Sequence, residues 1–494
     1  MKIGFDNNIY VEKQTQKIKE RIRKFGNKLY LEFGGKLFDD YHAARVLPGF
    51  DVNGKIRLLL EFKDMAEIVF CINANDIEKH KIRADMGITY DMDLMRLIDQ
   101  MRKLGLMVNG VVVTQYTGQQ AADVFMNKLE SRNVRTYRHY VIPGYPANAD
   151  FVVSDEGLGK NDYIETTRPL VVVTAPGPCS GKLATCLSQL YHENKRGIKA
   201  GYAKFETFPV WNLPLRHPVN LAYEAATADL KDVNMIDPFH LEAYGKLAVN
   251  YNRDVEVFPV VKAILEKIDP DADVYQSPTD MGVNMAGYGI FNDEIVRNAA
   301  EQEIIRRYYT IKCDCKQGLT DSDTLDKVTY IMKQLNLTPD MRTVVAPALK
   351  KSEEKKVPVI AIELEDGKIV TGKTTDIMTA GASALLNALK KLSDISDDLL
   401  LISPVVLEPI VKLKKNALHL QNTILNAEEV LMALSICAVT NPMAETALSA
   451  IEKLKNTEAH SSVIVHSDDA KVYKRLGINL TCEAEFISDD LFPG

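Results

Sequence analysis

The sequence predicts an α/β fold: a mostly parallel sheet in the N-terminal part, a helix-rich middle, and a second α/β unit at the C-terminus. Three observations predict it. Short apolar runs such as Leu170-Val171-Val172-Val173 alternate with amphipathic segments over the first 215 residues. Continuous apolar strands separated by helices are the pattern of a parallel sheet covered on both faces. The texture turns helical after His217, and strands resume beyond the polar stretch CDCKQGLTDSD at 313–323. At roughly 150 residues per domain, the 494-residue chain suggests three parts, bounded here as 1–215, 216–325 and 326–494.

Taken in order, residues 13–24 have the spacing of an amphipathic helix, and 28–33 form a strand ending at Gly34-Gly35. Residues 56–62 and 68–72 read as strands. Residues 92–104 read as a helix with Leu94, Leu97, Ile98 and Met101 on one face. Strand 110–114, helix 119–131, strand 136–142, strand 170–174 and helix 182–194 follow, and 201–208 is strand-like. In the middle part, 222–230, 238–249, 255–268 and 293–309 read as helices. A short strand at 233–236 and a glycine-rich loop at 279–289 interrupt them. In the C-terminal part, 358–363 and 368–370 flank Asp366-Gly367, a hairpin signal. Helices are expected there at 375–391, 408–414, 427–439, 443–455 and 468–476, and strands at 399–402, 462–465 and 479–486.

Lys and Arg number 60 against 67 Asp and Glu, a net charge of -7. Nucleic acids and anionic membranes are bound mainly through a cationic excess, so neither is expected as a partner. The start, MKIGFDNNIY, lacks the basic residues and apolar run of a signal peptide. No stretch approaches the ~18 apolar residues that cross a bilayer. Seven cysteines at scattered spacings fit a reducing compartment. A cytoplasmic location is therefore expected.

One loop carries suggestive chemistry. Residues 170–183 read LVVVTAPGPCSGKL: a buried strand, a loop with two glycines and a lysine, then a helix. Backbone N–H groups at a helix N-terminus, together with a lysine, make a phosphate site. Gly177, Ser180, Gly181 and Lys182 are the candidate phosphate- or nucleotide-binding residues. The letters deviate from G-x-x-x-x-G-K-[ST]: Pro176 stands at the first glycine and Leu183 at the hydroxyl position that normally reaches magnesium. Pro176 and Pro178 also remove two N–H donors. The other reading is a bare strand-to-helix turn with a solvated lysine. ATP with magnesium is the cofactor pair such a loop would take. Asp237, ending VNMID, is the candidate magnesium ligand, but Asp before Pro238 is also a standard helix cap. Lys204 and Glu206 on the strand 201–208 can line the same sheet edge, and as alternating surface charges they are equally explained. Catalytic candidates are Lys182, Glu206, His217 and Asp237. Asp280 and Asn284 are further loop residues for the same cleft.

Other signatures fail. Cys313-Asp314-Cys315 has no second cysteine pair at zinc-finger distance. His240-Leu241-Glu242 has no following P-C-x-x-C. No nucleophile elbow and no dinucleotide fingerprint follows a strand. Gly34-Gly35-Lys36 reads as a glycine turn beside a surface lysine.

The segments YLEFGGKLFDDYHAARVLPGF (30–50), TAPGPCSGKLATCLSQLYHE (174–193), FPVWNLPLRHPVNLAYEAATADL (208–230), NMIDPFHLEAYG (234–245) and SPTDMGVNMAG (277–287) resemble a bacterial family catalogued as domain-of-unknown-function family 1846, also called uncharacterised protein family 0371. The resemblance covers essentially the whole chain. It implies a cytoplasmic bacterial protein whose C-terminal three-layer α/β subdomain has a cytidine-deaminase-like topology. Where a deaminase carries zinc ligands, this chain has Thr374-Thr375-Asp376-Ile377-Met378, so that subdomain is expected to be metal-free.

Two classes of function remain. One is an enzyme of phosphoryl-transfer or ligase type that binds ATP or another phosphorylated small molecule at 177–182. The other is a non-catalytic scaffold or metabolite sensor that homo-oligomerises through the apolar helices at 427–439 and 443–455.

Overall fold

Seven strands hydrogen-bond in parallel: β1 (Leu29–Phe33), β2 (Ala66–Asn73), β3 (Met107–Tyr116), β4 (Arg135–Tyr140), β5 (Leu170–Thr174), β6 (Gly201–Phe205) and β7 (Gly282–Val283), in the order β7-β6-β1-β5-β2-β3-β4. The computed structural model describes residues 2–83, 86–269 and 275–488. Its contacts define two compact units, Lys2–Ala300 and Glu301–Gly494. The seven strands belong to the first. β5 is buried along its whole length and β2 along all but its last residue, as a sheet covered on both faces requires.

The helices of this unit include α1 (Asn7–Lys24), α2 (Gly54–Glu61), α3 (Tyr90–Lys103), α4 (Gln120–Glu130), α5 (Lys182–Lys195), α6 (Pro218–Ala226) and α7 (Asn252–Ile268). A buried polar network holds α5 on the sheet. The Tyr30 hydroxyl donates to Glu193 Oε1 at 2.6 Å, and Gln189 Nε2 donates to the Tyr30 oxygen at 3.2 Å. Burial and the adjacent Glu193 carboxylate both push the Tyr30 pKa well up.

Side chains engage backbone groups at both edges of the sheet. At the β7 edge, Gln14 on α1 donates to the Val283 carbonyl at 2.7 Å and accepts from the Met285 amide at 2.8 Å. Arg21 donates to the Gly282 carbonyl. At the β4 edge, the Arg138 and Tyr140 amides donate to the side chains of Asp162 and Asn161, each at 2.7 Å.

The second unit holds β8 (Val359–Glu363), β9 (Ile369–Lys373), β10 (Glu458–Ser461) and β11 (Asn479–Cys482), in the order β9-β8-β10-β11. β8 is antiparallel to both neighbours, and β10 is parallel to β11. Its helices include α8 (Ser322–Gln334), α9 (Val345–Lys355), α10 (Ala380–Leu392), α11 (Pro404–Lys412), α12 (Ala427–Ala438), α13 (Pro442–Ser449) and α14 (Ser467–Arg475). Alternation along β8 sends Ile360 and Ile362 into the core with α10, and Ala361 to the opposite face against Val344 and Ala348. Helices therefore cover both faces.

Several sequence expectations need correction. Residues 56–62 are helical, not a strand: Lys55, Ile56, Leu58, Leu59 and Phe62 are buried while Arg57, Leu60 and Glu61 face solvent, a spacing of 3.6 rather than 2. Residues 399–402 form a turn, with Leu399 and Leu400 exposed. The strand expected at 462–465 lies at Glu458–Ser461. The helix expected at 238–249 ends at Tyr244, where Gly245 takes the left-handed conformation, and Val249–Tyr251 is a strand. Residues 313–316 continue the helix Asp293–Lys316 instead of opening a connector, and α8 and α9 were not foreseen. Among the described residues, no helix is long and apolar enough to cross a membrane.

Gln14 is wholly buried. Gln14→Ala strands the Met285 amide and leaves the Val283 carbonyl with the Glu206 amide as its donor, and should cost about 1–3 kcal/mol. Urea unfolding followed by circular dichroism measures this. An unchanged midpoint would show that these edge contacts contribute nothing to stability.

Candidate functional site

Because the strands are parallel, their carboxyl ends share one edge of the sheet, and ligands of open α/β sheets sit beyond that edge. The turn from β5 to α5 lies at its centre, with β1 and β2 on either side. Packing makes glycine necessary at two places. A Cβ on Gly177 would lie 2.5 Å from the Tyr90 ring. Gly181 has φ 79°, and a Cβ there would lie 2.9 Å from the Thr114 side chain. The turn is stapled: the Ser180 hydroxyl donates to the Gly177 carbonyl, and Thr114 Oγ1 donates to the Ser180 carbonyl at 2.9 Å. The Ser180 proton is thus committed inside the loop.

Gly181 supplies no side-chain cap, so nothing on it covers the first N–H groups of α5. Lys182 is half-buried, and among the described residues it has no ion pair or hydrogen-bonded partner. The Cys186 thiol, one turn further on, is raised well above its ordinary value by burial and by Glu32, against a smaller lowering by Lys182. Cys186 therefore lies within electrostatic reach of both Glu32 and Lys182. Burial and Glu32 also push Tyr145 up to about 12.

A charged cluster stands two strands away, on the same edge. Tyr202 and Lys204 on β6 face the same side as Glu32 on β1, and Glu206 follows just past β6. Tyr202 donates to Glu32 Oε2 at 2.8 Å. Lys204 Nζ lies 2.7 Å from Asp254 Oδ2 and 3.0 Å from Glu206 Oε1. Burial tends to lower the Lys204 pKa, but Asp254, Glu206 and Glu32 outweigh it and hold the ammonium well above its ordinary value. Glu206 Oε2 and Trp211 Nε1 are buried without a hydrogen-bond partner. A Cβ on Gly282 would lie 2.9 Å from that Glu206 oxygen and 2.5 Å from the Trp211 ring. Burial pushes Glu206 up to about 7; Lys204 opposes the shift and Asp254 adds to it. Glu67 on β2 is a useful contrast. It is also buried, but Thr167, Arg168 and Asn109 all donate to it, so both its oxygens are engaged.

Beyond β1, Gly35 lies close to the Lys55 ammonium, which pairs with Asp40 at 3.0 Å. Burial would raise Asp40, but Lys55 outweighs it and the net shift is downward.

The remaining sequence candidates have local partners. His217 caps α6: Nδ1 accepts from the Val219 amide at 3.2 Å, and Nε2 donates to Asp293 at 2.8 Å. Burial lowers its pKa, against a smaller raising by Asp293. Asp237 is fully buried, with Oδ1 accepting from the His240 amide and Oδ2 from the amide and hydroxyl of Thr279. Asp280 accepts from Tyr244 and the Gln276 amide. Asn284, just after β7, is buried between the Pro209 carbonyl and the Ala286 amide. Magnesium fits neither acidic position well: both Asp237 oxygens are committed, and between Glu206 and Asp254 the Lys204 ammonium already stands where a cation would. Sequence reasoning missed Glu32, Tyr145, Trp211 and Asp254. Glu32 had a signal, a lone acid inside the apolar strand YLEF; Asp254 had none.

Two family models match the chain: Domain of unknown function DUF1846, N-terminal, over residues 3–336, and Domain of unknown function DUF1846, C-terminal, over residues 340–492. Similar relatives include the UPF0371 protein of Clostridioides difficile (strain 630), 56% identical over 500 residues covering 100% of both chains. The UPF0371 protein of Clostridium tetani (strain Massachusetts / E88) is also 56% identical, over 100% of this chain and 99% of its own. That of Clostridium botulinum (strain Langeland / NCTC 10281 / Type F) is 55% identical with the same coverage.

Glu206 yields a pH prediction. Its folded pKa, about 7, stands above the unfolded carboxylate value of 4.5. Between those values the folded state binds more protons than the unfolded one, so its stability falls as pH rises from about 4.5 to about 7. Glu206→Gln should flatten the unfolding midpoint over that window and leave the variant the more stable at pH 8. Parallel profiles for both proteins would refute the assignment.

Proposed function

We propose that this chain, which belongs to the DUF1846 family, binds ATP or another phosphorylated small molecule at residues 177–182. The observation that carries the reading is an unpartnered Lys182 at the uncapped N-terminus of α5, beside a glycine turn at the centre of the sheet's carboxyl edge. Phosphate oxygens would accept from the first N–H groups of α5, and Lys182 would neutralise their charge. Neighbouring strands are about 4.8 Å apart, so Glu206 and Lys204 lie roughly 10 Å from the turn, within the length of a nucleotide. Glu206, with its affinity for a proton near neutrality, is the candidate for moving one to or from the far end of the ligand. An enzyme of phosphoryl-transfer or ligase type fits this division of labour; a sensor would use the turn alone. The reading does not depend on magnesium.

Isothermal titration with ATP and ADP, each with and without magnesium, tests it. Binding should weaken at least tenfold in Lys182→Ala, a variant that removes no hydrogen bond or ion pair found among the described residues. No heat from any nucleotide, or equal heat from the variant, would sink the proposal.

A second reading concerns assembly. α12 buries Val430, Ala433, Leu434 and Cys437, yet Met432, Ile436 and Val439 on its outer side are exposed, Val439 by 83%. Met443 on α13 and Val405 on α11, helices that pack against α12, are exposed as well. We infer that a second copy of the chain covers these side chains. The strand order β9-β8-β10-β11, with β8 antiparallel to its neighbours, also supports reading this unit as a deaminase-like topology used for structure. Met432→Asp with Ile436→Asp should convert an oligomer to a monomer in light scattering. A monomer before substitution, or an unchanged mass after it, would count against assembly here.

A further inference from the structure

The second unit contains a cleft of about 410 Å³ that straddles the edge strand β9. Lys351 and Lys355 on α9 line it from one face of the sheet, Ser383 and Leu386 on α10 from the other, and Lys373 and Met378 from the end of β9 and the segment after it. No carboxylate is among the lining residues. Among the described residues, none of the three lysines has an ion pair. Three cations line one cleft with no carboxylate in its wall, and an anion held there gains from all three.

Lysines beside an edge strand often serve only to block strand pairing. Two features here go beyond that. Lys351 and Lys355 stand on a helix, not on the strand. The strand is also partly closed without them: Asn387 Nδ2 donates to the Thr371 carbonyl at 3.0 Å, and Gly372 is pressed so closely on α10 that a Cβ would lie 2.0 Å from the Ala384 amide nitrogen. The cleft also has an apolar wall in Met378 and Leu386, and its volume falls in the range of small-molecule sites.

We propose that this cleft binds a phosphorylated small molecule of mononucleotide size. Its phosphate groups would lie between Lys351, Lys355 and Lys373, near the Ser383 hydroxyl, and its less polar body over Met378 and Leu386. The site is separate from the 177–182 turn, belongs to the other compact unit, and does not rest on the function proposed for that turn.

The test is hydrogen exchange by mass spectrometry on the full chain, with ADP and inorganic pyrophosphate as probes and sodium sulfate at matched ionic strength as the control. ADP or pyrophosphate should slow exchange in peptides spanning 345–357 and 371–390. The protection should be lost in a Lys351→Ala, Lys355→Ala, Lys373→Ala triple variant, persist in the matching triple arginine variant, and be unchanged in Lys182→Ala. Both triple variants replace residues that are at least partly exposed, and unaltered exchange elsewhere verifies that they fold. No protection of these peptides by either probe, equal protection by sulfate, or protection that survives the alanine substitutions would overturn the proposal.

Discussion

Strands hydrogen-bonded in parallel cannot be joined by tight turns: each must return across a face of the sheet before the next begins. That requirement shapes the whole Lys2–Ala300 unit. It puts helices on both faces, which explains why β5 and β2 are apolar almost without interruption. It also gathers the carboxyl ends of seven strands on one edge, so that residues far apart in sequence meet there. Glu32, Lys182 and Lys204 come from three different strand ends, and Lys204 meets Asp254 from the start of α7. The Tyr30–Glu193–Gln189 network fixes α5 against β1 and so fixes where the helix begins. The position of the turn follows from a buried hydrogen-bond network about eleven residues along the same helix.

How much of this was legible depends on whether a signal was local. β5 and α5 were read correctly because a β-branched run, a glycine turn and an amphipathic helix each declare themselves over a few residues. The cap at Asp237 was visible as Asp-Pro. The segment IRLLLEF was misread because a short apolar run fits a strand and a helix equally well, and only the burial pattern separates them. At the candidate site, Gly177, Ser180, Gly181, Lys182, Lys204 and Glu206 could be named in advance. Their environment could not. Tyr90 lies 87 residues from the glycine it covers, and nothing in the letters around Asp254 says that it faces Lys204. The unpartnered oxygen of Glu206 is a property of packing alone.

Overall charge proved a poor guide to local charge. The chain is acidic, yet its cations are not all paired off. Lys182 stands alone at one helix start, and Lys351, Lys355 and Lys373 face a cleft without a carboxylate. Its anions divide as well. Glu67 is buried and saturated by donors, whereas Glu206 is buried and short of them. The same residue type is held in two ways, and the difference lies in how many N–H groups point at it.

The engaged edges of the seven-stranded sheet have a consequence for how this unit meets other proteins. At one end Gln14 and Arg21 occupy the carbonyls of β7; at the other Asn161 and Asp162 occupy amides of β4. The positions so engaged are not open to backbone pairing with an extended peptide or with another copy of the sheet. Recognition there has to be read from side-chain shape and charge, which discriminate between partners in a way that bare backbone does not.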